Sequence, residues 1–554
     1  WAVAPSRSRS GHALLAGDPH LALSLPSIWY EAHLVVPGRL DVYGVTIPGA
    51  PQIVIGFNRD IAWTFTNTES DVLDYYAETV DDSASPSRYR LDGEWRPLER
   101  RIEVYRAKNG TAIATDTTYF THRGPMVREG NAGWLSLRWT AHDPWADNSV
   151  FNVAARAASA AEFLAAMAPY VGPAQNMLVA DRGGNIAIRS TGRFPIRPGD
   201  GRGDLVRDGS TRASDWQAFW PLERYPFALN PDRGYLASAN QQPVDPRVNP
   251  LYLGADWFSP WRALRINQLL RADSAVTVDA MRRYQTDPGS PRADAFVPVF
   301  LEAARKATAA GDQAAAEGAR LLAQWDRRYT RENERAVLFE MAMEELNART
   351  WDELHPRALS DTLGALGALG AGDALTVSPS ALSPANATLL ELLSTPESPW
   401  WDVRRTATRV EHRDDILVAS LVRALERTKQ THGEPDSGGW RWDRVHRIEI
   451  NHLLRLPGFG VGGLSVSGGP STLSPSSMDN DFASSWRMVV ELGPEVRAWS
   501  IYPGGQSGNP VSARYRDRIA RWVAGELDSL VVPRQPSELD DSRVMSALTL
   551  DPLR

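Results

Sequence analysis

Cysteine is absent from this 554-residue chain. Disulfides, thiolate zinc sites and thiol nucleophiles are thereby excluded together. The composition suits a periplasmic or secreted bacterial protein that avoids mispairing, and it suits a cytoplasmic one equally well. No Lys/Arg run is long enough to track phosphates, and the formal charge of −7 is mildly acidic, so nucleic acid is not an expected partner. No apolar stretch approaches the ~18 residues that span a bilayer. H-E-x-x-H is missing, and His446-x-x-Glu449-x-x-His452 is spaced wrongly for one helix face. The G-x-S-x-G elbow of many serine hydrolases is missing too, because Gly505-Gln-Ser507-Gly508-Asn509 ends on asparagine. There is no P-loop, no convincing dinucleotide fingerprint and no internal repeat. The chain has neither an initiating Met nor a basic-then-apolar leader, and a strand-like segment starts at once at Trp1. An upstream cut, with the amino terminus involved in the chemistry, is the expectation.

What is present is a large core. Hydrophobic residues make up 43% of the chain and Trp alone contributes 20. Residues 1–261 read as mostly β, with short β-branched or aromatic runs at 52–58, 61–66 and 185–190 bounded by turn formers. Residues 262–438 read as mainly helical. Segments 312–328 and 333–349 are rich in Ala, Leu, Glu and Arg, and Leu338, Met341, Ala342 and Leu346 share one helical face. A Gly/Ala/Ser/Pro-rich stretch, 359–388, reads as loop or insertion. From 439 to 554 strands return at 444–450, 487–492 and 496–501, followed by an amphipathic helix at about 513–527. Strands at both ends with helices between predict one α+β core carrying a helical insertion.

A series of local phrases carries more information. They are Trp1-Ala-Val-Ala-Pro-Ser-Arg-Ser8, Leu15-Ala-Gly-Asp-Pro-His-Leu21, Ile47-Pro-Gly-Ala-Pro51, Gly56-Phe-Asn-Arg-Asp-Ile-Ala-Trp63 and Asp71-Val-Leu-Asp-Tyr75. Then come Thr121-His-Arg-Gly-Pro125, Pro173-Ala-Gln-Asn-Met-Leu-Val-Ala-Asp181, Ala239-Asn-Gln-Gln-Pro243 and Tyr502-Pro-Gly-Gly-Gln-Ser-Gly-Asn-Pro510. In this order, across nearly the whole chain, they resemble the penicillin acylase family of N-terminal nucleophile hydrolases. The resemblance implies a four-layer αββα sandwich and a precursor cut into a short α chain and a long β chain. The family's β chain opens with Ser-Asn-x-Trp. Trp1 matches that Trp, so the implied nucleophile lies three positions upstream of it. A hydroxyl needs a base, and a free α-amine with a reference pKa near ~7.7–8.0 can serve, through a water.

The resemblance also implies roles for individual residues. His20 would hold the amine in its accepting form. The Asn67 backbone N–H and the Asn240 side-chain amide would form the oxyanion hole, and Arg262 would orient Asn240 at the substrate entrance. Leu21 and Ile55 align with acyl-pocket positions that are aromatic in phenylacetyl-preferring enzymes. Their aliphatic character points to N-acyl homoserine lactones, aliphatic penicillins or glutaryl-type cephalosporins. Asp71, the Leu73 carbonyl, Asp74, the Pro195 carbonyl and Asp256 would hold a structural calcium. No organic cofactor is expected; the expected partners are an α chain cut from the same precursor and a small N-acyl amide. Two other readings stay open: a nucleophile-less binding protein on the same scaffold, and a metal-dependent amidase using the Asp71/Asp74 ion.

Overall fold

The computed structural model describes residues 1–129, 133–143, 149–354, 384–404, 406, 409–476, 481–540, 542 and 544–550. Two sheets dominate it. The first runs Tyr235–Leu236, Ala2–Val3, Ala13–Gly17, Arg487–Leu492, Val496–Ile501, Asp528–Ser529, so its strands come from both ends of the chain. The second has seven strands in the order Phe227–Leu229, Ile186–Thr191, Gln175–Asp181, Ile61–Asn67, Ile55–Phe57, Leu40–Thr46, Tyr30–Val36.

Alternation along the strands explains why both faces of the first sheet are covered. Ala2, Ala13, Leu15, Met488 and Val490 point inward, toward the face of the second sheet that carries Ala62, Thr64, Leu178 and Ala180. Val3, Leu14, Ala16 and Val489 point the other way, against Ile266 and Leu270 of helix Trp261–Ala272 and Met281 of helix Val278–Gln285. On the far face of the second sheet, Phe163 and Leu164 of helix Ala160–Ala166 pack into the core that holds Trp63. The result is helix, sheet, sheet, helix. The sheets approach closely at Gly17, where an added Cβ would sit 2.8 Å from Thr64 Oγ1, so a side chain there would push the layers apart. Gln285 Nε2 donates to the carbonyls of Gly17 and Met488 at 2.9 and 3.2 Å and ties the outer helix to this layer.

Helices Pro291–Ala309, Gln313–Ala323, Ala336–Thr350 and Arg413–His432 form a separate core of their own around Trp325, Trp401, Trp440 and Trp442. Leu338, Ala342 and Leu346 are buried there as their spacing predicts, and Met341 packs at its margin. The predicted strands at 487–492 and 496–501 match the observed bounds. Three expectations change. The C-terminal helix spans only Ile519–Val523, because the backbone before it bonds elsewhere: Arg518 N donates to Gly504 O at 3.0 Å, and Ser507 N donates to Arg514 O at 3.0 Å. The strand predicted from 444 starts at Ile448, behind the helical turn Trp442–Val445, whose Trp442 indole is drawn to Gly468 O at 2.7 Å. Of the predicted loop at 359–388, residues 359–383 lie outside the described residues and Asn386–Leu392 is helical.

Candidate active site

A cavity of about 640 Å³ opens between the two sheets, and Trp1, His20, Leu21, Ile55, Asn67, Asn240 and Arg262 all line it. Six of these were expected site residues, drawn from five separate segments. Asn67 ends strand Ile61–Asn67, and Asn240 follows Tyr235–Leu236, the neighbour of Ala2–Val3. Below them, Thr66 Oγ1 and Ser238 Oγ share a 2.6 Å hydrogen bond, and Asn176, held by Ser190 Oγ at 2.7 Å, donates from Nδ2 to Ser238 Oγ at 3.4 Å. These contacts fix the Asn240 segment against the second sheet.

Asn240 is the hub. Its Nδ2 donates to the Asn67 carbonyl at 3.0 Å, and its Oδ1 accepts from Arg262 Nη2 at 2.9 Å. An amide NH2 carries two hydrogens, so one remains for another acceptor. Asn240 has φ +64°, in the left-handed region that Asn tolerates better than most residues. Arg262, at the start of its helix, also approaches His20 Nδ1 at 3.3 Å and sits 5.4 Å from the Phe258 ring centroid. His20 Nε2 faces Asp18 Oδ2 at 3.4 Å, too long for an ordinary hydrogen bond, and Ser484 donates to the other Asp18 oxygen.

Charge in the cavity is arranged around Arg262. Burial pulls its guanidinium down to about 10 against the attraction of Asp18 and Glu69, so it remains a cation at neutral pH. Burial lifts the Glu69 carboxyl above its ordinary range, opposed by Arg262 and by a hydrogen bond from the Asn67 side chain. The acyl-sized part of the cavity is apolar: Leu21, Trp29, Val54, Ile55, Phe65, Phe151 and Tyr170 line it. Sequence reading missed Glu69, Asp18 and Phe258. Asp18 and Phe258 had no distinguishing spacing, and Glu69 lies outside every phrase that pointed to the site. Its φ of +52° is visible only in the structure.

The expected ion ligands lie away from this cavity. Asp74 is fully buried, and Arg197 Nε and Nη2 donate to its carboxylate at 2.9–3.1 Å. Trp216 Nε1 donates to it at 2.7 Å, and Arg207 Nε lies 3.4 Å away. Arg197 Nη2 also donates to the Asp71 carbonyl at 2.8 Å, and the Asp71 carboxylate accepts from the Tyr252 hydroxyl. Leu73 opens strand Leu73–Glu78, Pro195 pairs with Phe219, and Asp256 is near enough to Asp71 to help hold its carboxyl up, after burial as the main cause. Among the described residues no three acidic or histidine side chains converge as an ion cage. Two guanidiniums already neutralise Asp74, so this donor set does not fit a calcium ion.

The penicillin amidase family model matches residues 1–538. The chain belongs to the penicillin amidase family. The acyl-homoserine lactone acylase QuiP of Pseudomonas syringae pv. tomato is 31% identical over 581 residues, covering 100% of this chain and 68% of the relative. The penicillin acylase 2 proenzyme of Pseudomonas sp. SE83 is 26% identical, covering 94% of this chain and 65% of the relative. The chain thus spans about two thirds of the length of the curated relatives it matches. In fold it is similar to the thermostable penicillin G acylase of Alcaligenes faecalis, with a TM-score of 0.77 at 19% identity over 100% of both chains. The expected N-terminal-nucleophile sandwich is therefore the fold observed. As a penicillin amidase family member the chain is an N-acyl amide hydrolase, and no described helix is long and apolar enough to cross a membrane.

Proposed function

We propose that the chain is the β-subunit part of an acylase that cleaves aliphatic N-acyl amides through an acyl-enzyme on a serine three positions before Trp1. One observation carries this reading: the pairing on both sides of the first strand. Ala2 faces Leu15 on one side and Leu236 on the other. Trp1 continues the first pairing, donating to the Ala16 carbonyl at 2.9 Å and accepting from Ala16 N–H at 2.8 Å. Extended upstream, the two registers bring the third residue before Trp1 level with Asn240 on one side and with Pro19, next to His20, on the other. Burial would also pull a free amine on Trp1 down to about 5. A peptide bond at this nitrogen keeps the hydrogen bond to Ala16 without burying an ammonium.

In this reading the serine hydroxyl attacks the amide carbon while its own α-amine takes the proton through a water. The remaining Asn240 N–H and the Asn67 backbone N–H receive the developing oxyanion. Arg262 locks the Asn240 side chain so that its NH2 faces the reacting carbon. The amine leaves, and water then releases the acid from the ester. A short α chain completes the subunit pair, and the enzyme is exported to the periplasm or beyond, a location that the cysteine-free composition allows as readily as the cytoplasm. The apolar wall at Leu21 and Ile55 supports flexible alkyl acyl groups. A chain-length series of N-acyl p-nitroanilides on the enzyme from its complete gene tests this. Medium to long alkyl chains should exceed phenylacetyl in kcat/KM, and Ile55→Phe should shift the optimum to shorter chains. A phenylacetyl preference that Ile55→Phe leaves unmoved would contradict it.

A further inference from the structure

Asparagine and arginine at the polar end of the cavity account for the carbonyl, but they leave one lining group without a task. Glu69 lines the cavity together with Asn67, Asn240 and Arg262, only two residues beyond Asn67. The chain holds it there in the left-handed conformation, at φ +52°, a region that suits Asn and Gly better than Glu. It is half-buried. Its carboxylate is tied to the Asn67 side chain and attracted by Arg262.

The direction of the substrate follows from the walls. With the carbonyl oxygen at Asn240 and Asn67 and the acyl tail among Leu21, Ile55 and Phe65, the amine half is left at the polar end. There, Arg262 is the cation, and two carboxylates, Asp18 and Glu69, already share its field. A substrate whose amine half bears a carboxylate would enter this end against Glu69 and compete with it for Arg262. An uncharged amine half meets no such repulsion. We propose that Glu69 selects the amine half of the substrate by charge, admitting neutral amines such as a lactone and disfavouring amines that carry a carboxylate, such as a penicillin nucleus or an amino acid. This rests on the acylase reading above, and it separates the two kinds of relative, whose amine products differ in this charge.

The test uses a matched pair with one acyl chain: an N-acyl-homoserine lactone and its ring-opened N-acyl-homoserine. The quantity is the ratio of kcat/KM for the two, measured on wild type, Glu69→Gln and Glu69→Asp. Wild type should prefer the lactone. Glu69→Gln should shrink that preference about tenfold, the effect of one unit charge a few ångströms away behind partial solvent screening. The change should come from a lower KM for the anionic substrate. Glu69→Asp, which keeps the charge, should keep the preference, and added salt should narrow it in wild type but not in Glu69→Gln. An unmoved ratio in Glu69→Gln, or an equal change in Glu69→Asp, overturns the inference while leaving the acylase reading intact. Failure of the wild type to release an amine from either substrate overturns both.

Discussion

Replacing Asn240 is the perturbation whose size the geometry fixes best. The side chain makes two contacts, 3.0 Å to the Asn67 carbonyl and 2.9 Å from Arg262, and offers one further N–H to the cavity. Loss of one oxyanion donor costs on the order of 10²–10³ in kcat, about 3–4 kcal/mol of transition-state stabilisation. Asn240→Ala carries a second cost, because alanine at φ +64° loses about 1–2 kcal/mol in the left-handed region. Asn240→Gly removes the same donor without that strain. Both variants should therefore lose kcat by the same factor with KM little changed; both lose the two side-chain hydrogen bonds, and the alanine variant unfolds at a lower temperature than the glycine variant. Steady-state kinetics on a saturating N-acyl substrate, alongside calorimetry, reads both quantities. A glycine variant retaining kcat within a few-fold of wild type would refute the assignment of Asn240 as the oxyanion donor.

Other consequences lie farther from the cavity. Arg197 supplies the positive charge against buried Asp74 that an ion was expected to supply. A chelator should therefore leave melting temperature and turnover unchanged, whereas Arg197→Ala should cost about 1.5–3 kcal/mol by removing the hydrogen bonds of its main partner and leaving Arg207 and Trp216 alone with the carboxylate; a chelator-induced loss of stability that calcium restores would return an ion to this site. His446 is 1% exposed, its Nε2 bonded to Ser476 Oγ at 2.7 Å, and burial pushes it down to about 4. Its folded value lies below its unfolded one, so the unfolded chain binds more protons between the two, and stability falls as pH drops through that window. The loss should reach roughly 2–3 kcal/mol between about pH 7 and pH 4. His446→Gln should flatten that part of a urea-midpoint profile, and an unchanged slope would refute the assignment.

Much of this molecule is legible in the sequence where chemistry is local. Strand Arg487–Leu492 is buried on both faces and is marked by its apolar centre Met488-Val489-Val490, and Leu338, Ala342 and Leu346 announce their helix by spacing. The site residues were legible only through the phrases that contain them, since Asn240 and Asn67 meet across 173 positions. What stayed hidden depends on distant partners. Nothing near Asp74 signals that Arg197, 123 residues away, fills its hydrogen-bonding sites. Nor does the sequence around 513–518 signal that its backbone groups are engaged by the 504–507 loop and not by a helix. Glu69 escaped notice for a related reason: its role follows from Arg262, which a different element delivers.

The central claim concerns the residue that takes the acyl group. Rapid quenching of the enzyme from its complete gene during turnover of a slow N-acyl substrate, followed by peptide mass spectrometry, locates that group. The account predicts an added mass equal to the acyl group on a serine three positions before Trp1, with a free α-amine on the same residue. An acyl group on any residue from Trp1 onward would contradict it, as would hydrolysis proceeding at full rate when that serine is replaced by alanine.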